Sequence, residues 1–413
     1  MPISINPVKG WIRHLGHLLS PNAMPATRIA LERDADARLR RLRDAAADRA
    51  RQRVRPTRPK MRSLIATPGG RMRWHSIPAP PPPGPDAAIV HPIAIATCDM
   101  DRPIGLGATP FPMPLCFGHE CVAEVLSIGE RVGTVAVGDR VVVPFQISCG
   151  ECAACRAGHT SNCLSVPPIS MYGFGVAGGH WGGAVADELA VPFADGMLVK
   201  LPEGVDPLAA ASVADNVSDA HRHIAPYLPA IIERGGDPRV VIVGALSRRH
   251  LFTGSVAMYA GQIAMALGAA EIVIADARPE VRDQVTALGL HAVTPRELRG
   301  ISATALVMDA SATPRGTRLA VARTAPDGIC SSVGGLHSSV KLPMSTMYGR
   351  NISLHVARSH ARALIPEVLA LMAAGRLEPE RVTTLIAPVD EAPAALAEHM
   401  RGASTKTILD ATH

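Results

Sequence analysis

The chain has 413 residues, of which 47% are hydrophobic and 19% charged. That is material for two packed lobes and too much chain for one ordinary core, and no apolar stretch is long enough to span a bilayer. The net charge of +6 is unevenly placed: residues 1–60 hold twelve Arg and two Lys against five acids, a net +9, which leaves −3 on 61–413 and argues against a nucleic-acid-binding globule.

In chain order, residues 1–60 read as a basic extension with an Arg-rich helical stretch over 30–53, ended by Pro56 and Pro59. It is expected to be solvated, or to lie upstream of a start at Met61. Trp11 is its lone aromatic, so it offers no stacking platform for nucleic acid. No apolar run follows Lys9 and Arg13 as a secretory signal requires. Eight cysteines without an export signal fit a reducing compartment, with the cytoplasm as the expectation.

From Met61 short apolar runs broken by Gly and Pro set an all-β rhythm, with strands expected at Val122–Val125 and Arg140–Pro144. Pro78–Pro85 reads as an extended polyproline turn. After about residue 209 the rhythm becomes strand then helix. Val240–Gly244, Glu271–Asp276, Ala305–Asp309 and Ile329–Gly334 read as buried parallel strands, with helices over 255–267 and 279–288. That alternation predicts an α/β fold with a doubly wound parallel sheet. A further amphipathic helix is expected around Ala363–Ala374.

Two groups of residues carry metal chemistry. Cys149, Cys152, Cys155 and Cys163 follow C-x2-C-x2-C-x7-C spacing in one loop, the donor set of a closed structural zinc. An iron–sulfur cluster also takes four thiolates, but its usual runs differ in the last spacing. Cys98 ends an apolar strand, and His119-Glu120 follows about twenty residues on. Thiolate and imidazole are suitable zinc ligands, and a third ligand can come from later in the chain.

Gly118-His119-Glu120, the turn from Gly129 to Gly138-Asp139-Arg140-Val141, and the four-cysteine lobe together resemble the zinc-containing medium-chain dehydrogenase/reductase family. The resemblance covers roughly 61–413. It implies a GroES-like β-rich catalytic lobe, 61–212 with 354–413, and a Rossmann nucleotide-binding domain, 213–353. It further implies one catalytic and one structural zinc, with Cys98 and His119 on the catalytic ion and Glu120 beside it as an adjustable ligand. Asp215 takes the place of the remaining ligand, with Asp219 as a nearby competitor. Asp101 matches a carboxylate that steadies the ligand histidine. Zinc can lower the pKa of bound water from about 15.7 to about 7, worth roughly 12 kcal/mol. The family's usual proton-relay positions hold Met100 and Pro103 here. A relay is worth roughly 10²–10⁴-fold, so the zinc chemistry survives its loss, and Glu120, Asp99 or water can substitute.

By the same resemblance, the strand ending at Gly244 leads into a pyrophosphate-binding turn completed by Gly254 and Ala257. The segment 245–253 is longer than the usual turn. One reading gives Arg248, Arg249 and His250 phosphate contacts, and the other lets the insertion bulge into solvent. Asp276 is placed to accept the ribose hydroxyls of NAD, with NADP second and Arg278 and Arg282 softening the preference. Gly334 and Gly335 match the backbone that meets the nicotinamide amide, and Lys406 matches a basic position near the pyrophosphate. The implied activity is hydride transfer between NAD(H) and an alcohol, aldehyde or ketone, in a pocket lined by Met100, Leu115, Phe117 and the 168–182 loop. A homodimer or homotetramer is implied, with no nucleic-acid or membrane partner. The rival reading is a zinc-stabilised binding protein without turnover.

Overall fold

The computed structural model describes residues 58–67, 70–109, 111–175, 177–334 and 339–412. The basic extension read over 1–60 therefore lies outside the described residues except for its last three positions. Strands are numbered in chain order: β1 (Lys60–Thr67), β2 (Arg71–Pro78), β3 (Ala88–Ala96), β4 (Leu115–Cys116), β5 (Glu120–Ile128), β6 (Arg140–Val143), β7 (Leu189–Val191), β8 (Val199–Lys200), β9 (Arg239–Val243), β10 (Glu271–Ala275), β11 (His291–Val293), β12 (Thr304–Asp309), β13 (Thr324–Ser332), β14 (Ser353–Val356), β15 (Leu385–Pro388) and β16 (Thr407–Asp410).

The chain forms two units. The first runs to Asp215 and takes back His360–Leu369 and the chain from Leu385. Its main sheet has the order β15-β16-β3-β5-β6-β8, with β7 also on β3, and β2-β1-β4 form a second sheet. β3 is the central strand because its sequence, AIVHPIAIA, is apolar on both faces; only His91 escapes full burial. β3 and β5 run antiparallel with Ala96 opposite Glu120. That register brings the residues just after β3 and just before β5 to the same end of the sheet, which places the site described below.

The second unit is Asn216–Ser359 with Ala370–Thr384. Its sheet has the order β11-β10-β9-β12-β13-β14, parallel throughout. Buried Val and Ile runs in β9 and β10 are what two-sided burial requires. The helices Ser255–Ala266 and Pro279–Ala287 fall where the sequence periodicity puts them. The architecture is the expected one, a GroES-like β-rich unit and a Rossmann-like parallel sheet. Ala370–Thr384 joins the second unit, whereas the sequence reading kept all of 354–413 with the first. Arg376 and Arg381 hold this segment there by donating to the last-turn carbonyls of Ala266 and Ala287. Among the described residues no helix is long and apolar enough to cross a membrane.

Candidate metal centres and dinucleotide seat

The first centre is built at the shared end of β3 and β5. Gly118 turns the chain into β5 with φ +88°, and a Cβ there would stand 2.7 Å from a Val185 methyl, so the position needs glycine. His119 follows, buried against the rings of Phe145 and Phe174. Asp215 arrives at the end of the 3-10 turn Ala211–Ala214. The ligand atoms of Cys98, His119, Glu120 and Asp215 lie within 4.8 Å of one another, and all four residues are buried.

The contacts give these groups distinct positions. Cys98 Sγ donates to Asp215 Oδ2 at 3.2 Å, and His119 Nε2 stands 3.4 Å from the same oxygen. Asp101 Oδ2 accepts the Cys98 amide at 2.8 Å, while its Oδ1 faces His119 Nδ1 at 3.6 Å. One carboxylate thus fixes the backbone of the thiol and faces the far side of the imidazole. Neither His119 nitrogen has a hydrogen-bond partner within normal geometry. Glu120 receives the Lys406 ammonium at 2.8 Å on Oε2, while its Oε1 has no partner.

The electrostatics of this cluster follow from burial. Burial, then the carboxylates of Asp215, Glu120 and Asp101, push the Cys98 thiol well above its ordinary range. Burial pushes Glu120 up to about 8 although Lys406 pulls it down. For His119 burial opposes the charged form, but Asp101, Asp215 and Glu120 outweigh it and carry the imidazole up to about 9. A buried thiol, imidazole and carboxylates at this spacing suit a divalent cation, and two partnerless imidazole nitrogens fit one ring ligating while held from behind. Asp219, the competitor for the third position, is instead engaged by Arg222 and His223 within the second unit.

In the second centre the sulfurs of Cys149, Cys152, Cys155 and Cys163 lie within 4.8 Å of one another, and all four thiols are free. The amides of Cys149, Cys152, Cys155, Leu164 and Ser165 point at these sulfurs over 3.3–3.5 Å. Such amide donors stabilise thiolate charge, as the donor set of a closed tetrahedral zinc requires.

In the second unit Gly254 caps the start of the helix Ser255–Ala266 at φ +97°, Ala257 lies in its first turn, and Gly244 follows β9 against Asp276. The 245–253 segment exposes only Ser247, Arg248 and Arg249. His250 turns back onto the Ser311 carbonyl at 2.9 Å, so the insertion is neither wholly solvent-borne nor wholly turned inward. Asp276 is buried and bound by Arg278, a partnership that the Asp-Ala-Arg order in the sequence signals but does not specify. Gly334 lies two residues past the end of β13 with φ +74°, and Gly335 lies outside the described residues. Lys406, read as a pyrophosphate contact, is fully buried with its ammonium on Glu120. Leu115 and Phe117, read as pocket lining, pack in the core of the first unit at 1% exposure, whereas Met100 is only partly buried. Sequence reading missed Phe145 and Phe174 around His119, because nothing local marks an aromatic that meets a ligand from another loop.

Comparison with known proteins shows the family. The sequence profile of the alcohol dehydrogenase GroES-like domain matches residues 84–203. A probable zinc-binding alcohol dehydrogenase of Mycobacterium tuberculosis is 31% identical over 344 residues, covering 80% of this chain and 83% of the relative. A glutathione-independent formaldehyde dehydrogenase of Pseudomonas aeruginosa is 32% identical over 230 residues, covering 53% of this chain and 54% of that one. The solved alcohol dehydrogenase of Thermus sp. ATN1 superposes with a TM-score of 0.75 at 28% identity, covering 85% of this chain and 99% of its own. Fold and site define an alcohol dehydrogenase-like oxidoreductase. The chain belongs to the zinc-containing medium-chain dehydrogenase/reductase family.

Proposed function

We propose that the protein transfers a hydride between a nicotinamide dinucleotide and a small alcohol, aldehyde or ketone. Cys98, His119 and Asp215 would hold a catalytic zinc with Glu120 as an adjustable fourth ligand, and the four cysteines of 149–163 would hold a structural one. The observation that carries the reading is the gathering of the first four within 4.8 Å around an imidazole that has no hydrogen-bond partner. Zinc bound there would supply Lewis acidity to the substrate oxygen. The chain's own groups do the rest. Asp101 orients the His119 ring from its Nδ1 side, and Lys406 holds Glu120 from behind. With Met100 and Pro103 in the usual relay positions, Glu120, whose Oε1 has no partner while Lys406 holds its Oε2, is the group at the cluster that would pass the proton outward. The turn at Gly244 and Gly254 would take the dinucleotide, with Ala257 allowing close packing of the helix and Gly334 and Gly335 meeting the nicotinamide end.

A homodimer or homotetramer in the cytoplasm completes the proposal. The oligomer is supported by the edge of β14, which has no second strand partner among the described residues. A second reading, a zinc-stabilised binding protein without turnover, is favoured by one observation: the Asp276 carboxylate is already engaged by Arg278. Cys98→Ser separates the two. Turnover on a panel of alcohols with preserved folding should be abolished, and undiminished turnover would refute the catalytic assignment. Wild-type protein, folded and zinc-loaded, that binds neither NADH nor NADPH would favour the second reading.

A further inference from the structure

A carboxylate offers about four acceptor positions, and the protein itself fills all four on Asp276. Oδ1 accepts from the Arg278 amide and from Arg278 Nε, both at 2.9 Å. Oδ2 accepts from Arg278 Nη2 at 2.8 Å and from the Ala245 amide at 3.1 Å. Both side chains are buried, at 2% exposure for Asp276 and 7% for Arg278. A ribose diol arriving at this seat finds no open acceptor on the carboxylate.

The lengthened connection after β9 holds this arrangement in place. Arg278 Nη1 donates to the Phe252 carbonyl at 2.7 Å, and His250 Nε2 lies 2.9 Å from the Ser311 carbonyl. The segment is therefore tied to the β10 side of β9 and to the β12 side. That is the crevice, at the carboxyl ends of the strands where their order reverses, in which open α/β sheets bind dinucleotides. A Cβ on Gly254 would stand 2.9 Å from Arg278 Nη2, so the guanidinium is seated directly against the start of the helix Ser255–Ala266. Arg282 adds a second cation by donating to the Asp276 carbonyl at 2.9 Å. The carboxylate is bound by the Arg278 guanidinium, and a second guanidinium, that of Arg282, stands on the main chain of the same residue.

We infer that Arg278, rather than Asp276, sets the choice of dinucleotide, and that the seat favours the 2′-phosphorylated form. The inference rests on the reading of the second unit as a dinucleotide-binding unit. A carboxylate selects against a ribose phosphate by repulsion and for a ribose diol by accepting its hydroxyls. Here the repulsion is neutralised and the acceptors are taken. What remains is a planar guanidinium, the group best matched to phosphate oxygens, anchored by its own carboxylate and by the Phe252 carbonyl. Asp276 becomes the holder of the selecting residue.

Fluorescence titration of the zinc-loaded full chain with NADH and NADPH tests this. Wild type should bind NADPH at least as tightly as NADH. Arg278→Ala should weaken NADPH by about tenfold or more, the scale of a lost charge-assisted contact, and tighten NADH as Asp276 is freed. Arg278→Lys keeps the charge without the fork and should weaken NADPH by less, which keeps the test alive if the alanine variant does not fold. Tenfold tighter NADH in wild type, or an unchanged ratio in folded Arg278→Ala, would overturn the role of Arg278 and leave the dinucleotide reading standing. Binding of neither nucleotide by any folded protein would instead sink the reading of the unit itself.

Discussion

The Lys406 ammonium and the Glu120 carboxylate meet at 2.8 Å, and neither side chain has exposed surface. The pair joins the first strand position after the imidazole to the start of β16, so it is also a covalently distant staple of the first unit. Removing one partner of a buried pair strands the other charge, at a cost of roughly 3–5 kcal/mol, whereas replacing both by apolar groups is often neutral. Lys406→Met should therefore lower unfolding free energy by that order in urea titrations. Lys406→Met with Glu120→Leu should regain most of the loss. A Lys406→Met protein as stable as wild type would show that the pair carries no such burden.

The two cysteine-bearing centres should respond differently to loss of a ligand. Cys152 supplies one sulfur to the four-thiol cluster, and its side chain caps the short helix Ala153–Arg156 by accepting the Cys155 amide. Structural zinc contributes folding free energy directly, about 10–16 kcal/mol in small isolated sites. Cys152→Ser should lose one bound zinc and unfold at a markedly lower temperature. Cys98→Ser should leave that zinc in place and shift the melting temperature little. Metal content and calorimetry on the two variants decide this, and equal melting temperatures would contradict separate roles.

Most of the fold could be read from the sequence where one face or both were continuously apolar. β9, β10 and β12 appear within a residue or two of the expected Val and Ile runs because two-sided burial leaves no polar alternation to confuse. β11 and β14 escaped notice. They are three and four residues long and carry His291, Ser353 and His355, and β14 is mostly exposed, so neither hydrophobic run nor period marks them. In the site, Cys98 and His119 could be read because each stands next to a strand end with a glycine or cysteine signature. The partnership of Glu120 with Lys406 could not, since it joins residues 286 positions apart through the register of β16 on β3. The ion pair of Asp276 with Arg278 lay in plain view at two residues' spacing, but only the folded turn shows that it uses up the carboxylate.

Among the described residues β14 is an edge strand paired with β13 alone; Val356 within it is 60% exposed, and Met344 and Tyr348 on the helix that precedes it are 65% and 87% exposed. An open edge with large apolar neighbours is a site of strand pairing, and a two-fold axis would let two copies satisfy each other. Tyr348→Glu together with Val356→Lys should convert an oligomer into monomers in sedimentation velocity without changing the circular dichroism spectrum. A wild-type protein that sediments as a monomer at micromolar concentration would remove the basis for this edge as an interface.

His399, on the helix Ala392–Arg401, is fully buried, and neither ring nitrogen has a hydrogen-bond partner. Burial lowers its pKa to about 4, Lys406 and Arg102 push the same way, and Asp99 opposes them. The folded state therefore holds the ring neutral, while the unfolded chain protonates it near its ordinary value of about 6.5. Between those two values the unfolded state binds the extra proton, so stability falls as pH drops through that window. From pH 7 to pH 5 the loss attributable to this one group is about 2 kcal/mol. His399→Leu fills similar space without a titrating group, so the variant should lose correspondingly less stability than wild type over the same interval. Urea midpoints of both proteins at the two pH values measure the difference. Parallel losses in the two proteins would mean that His399 finds a partner or water in solution and is not held neutral by burial.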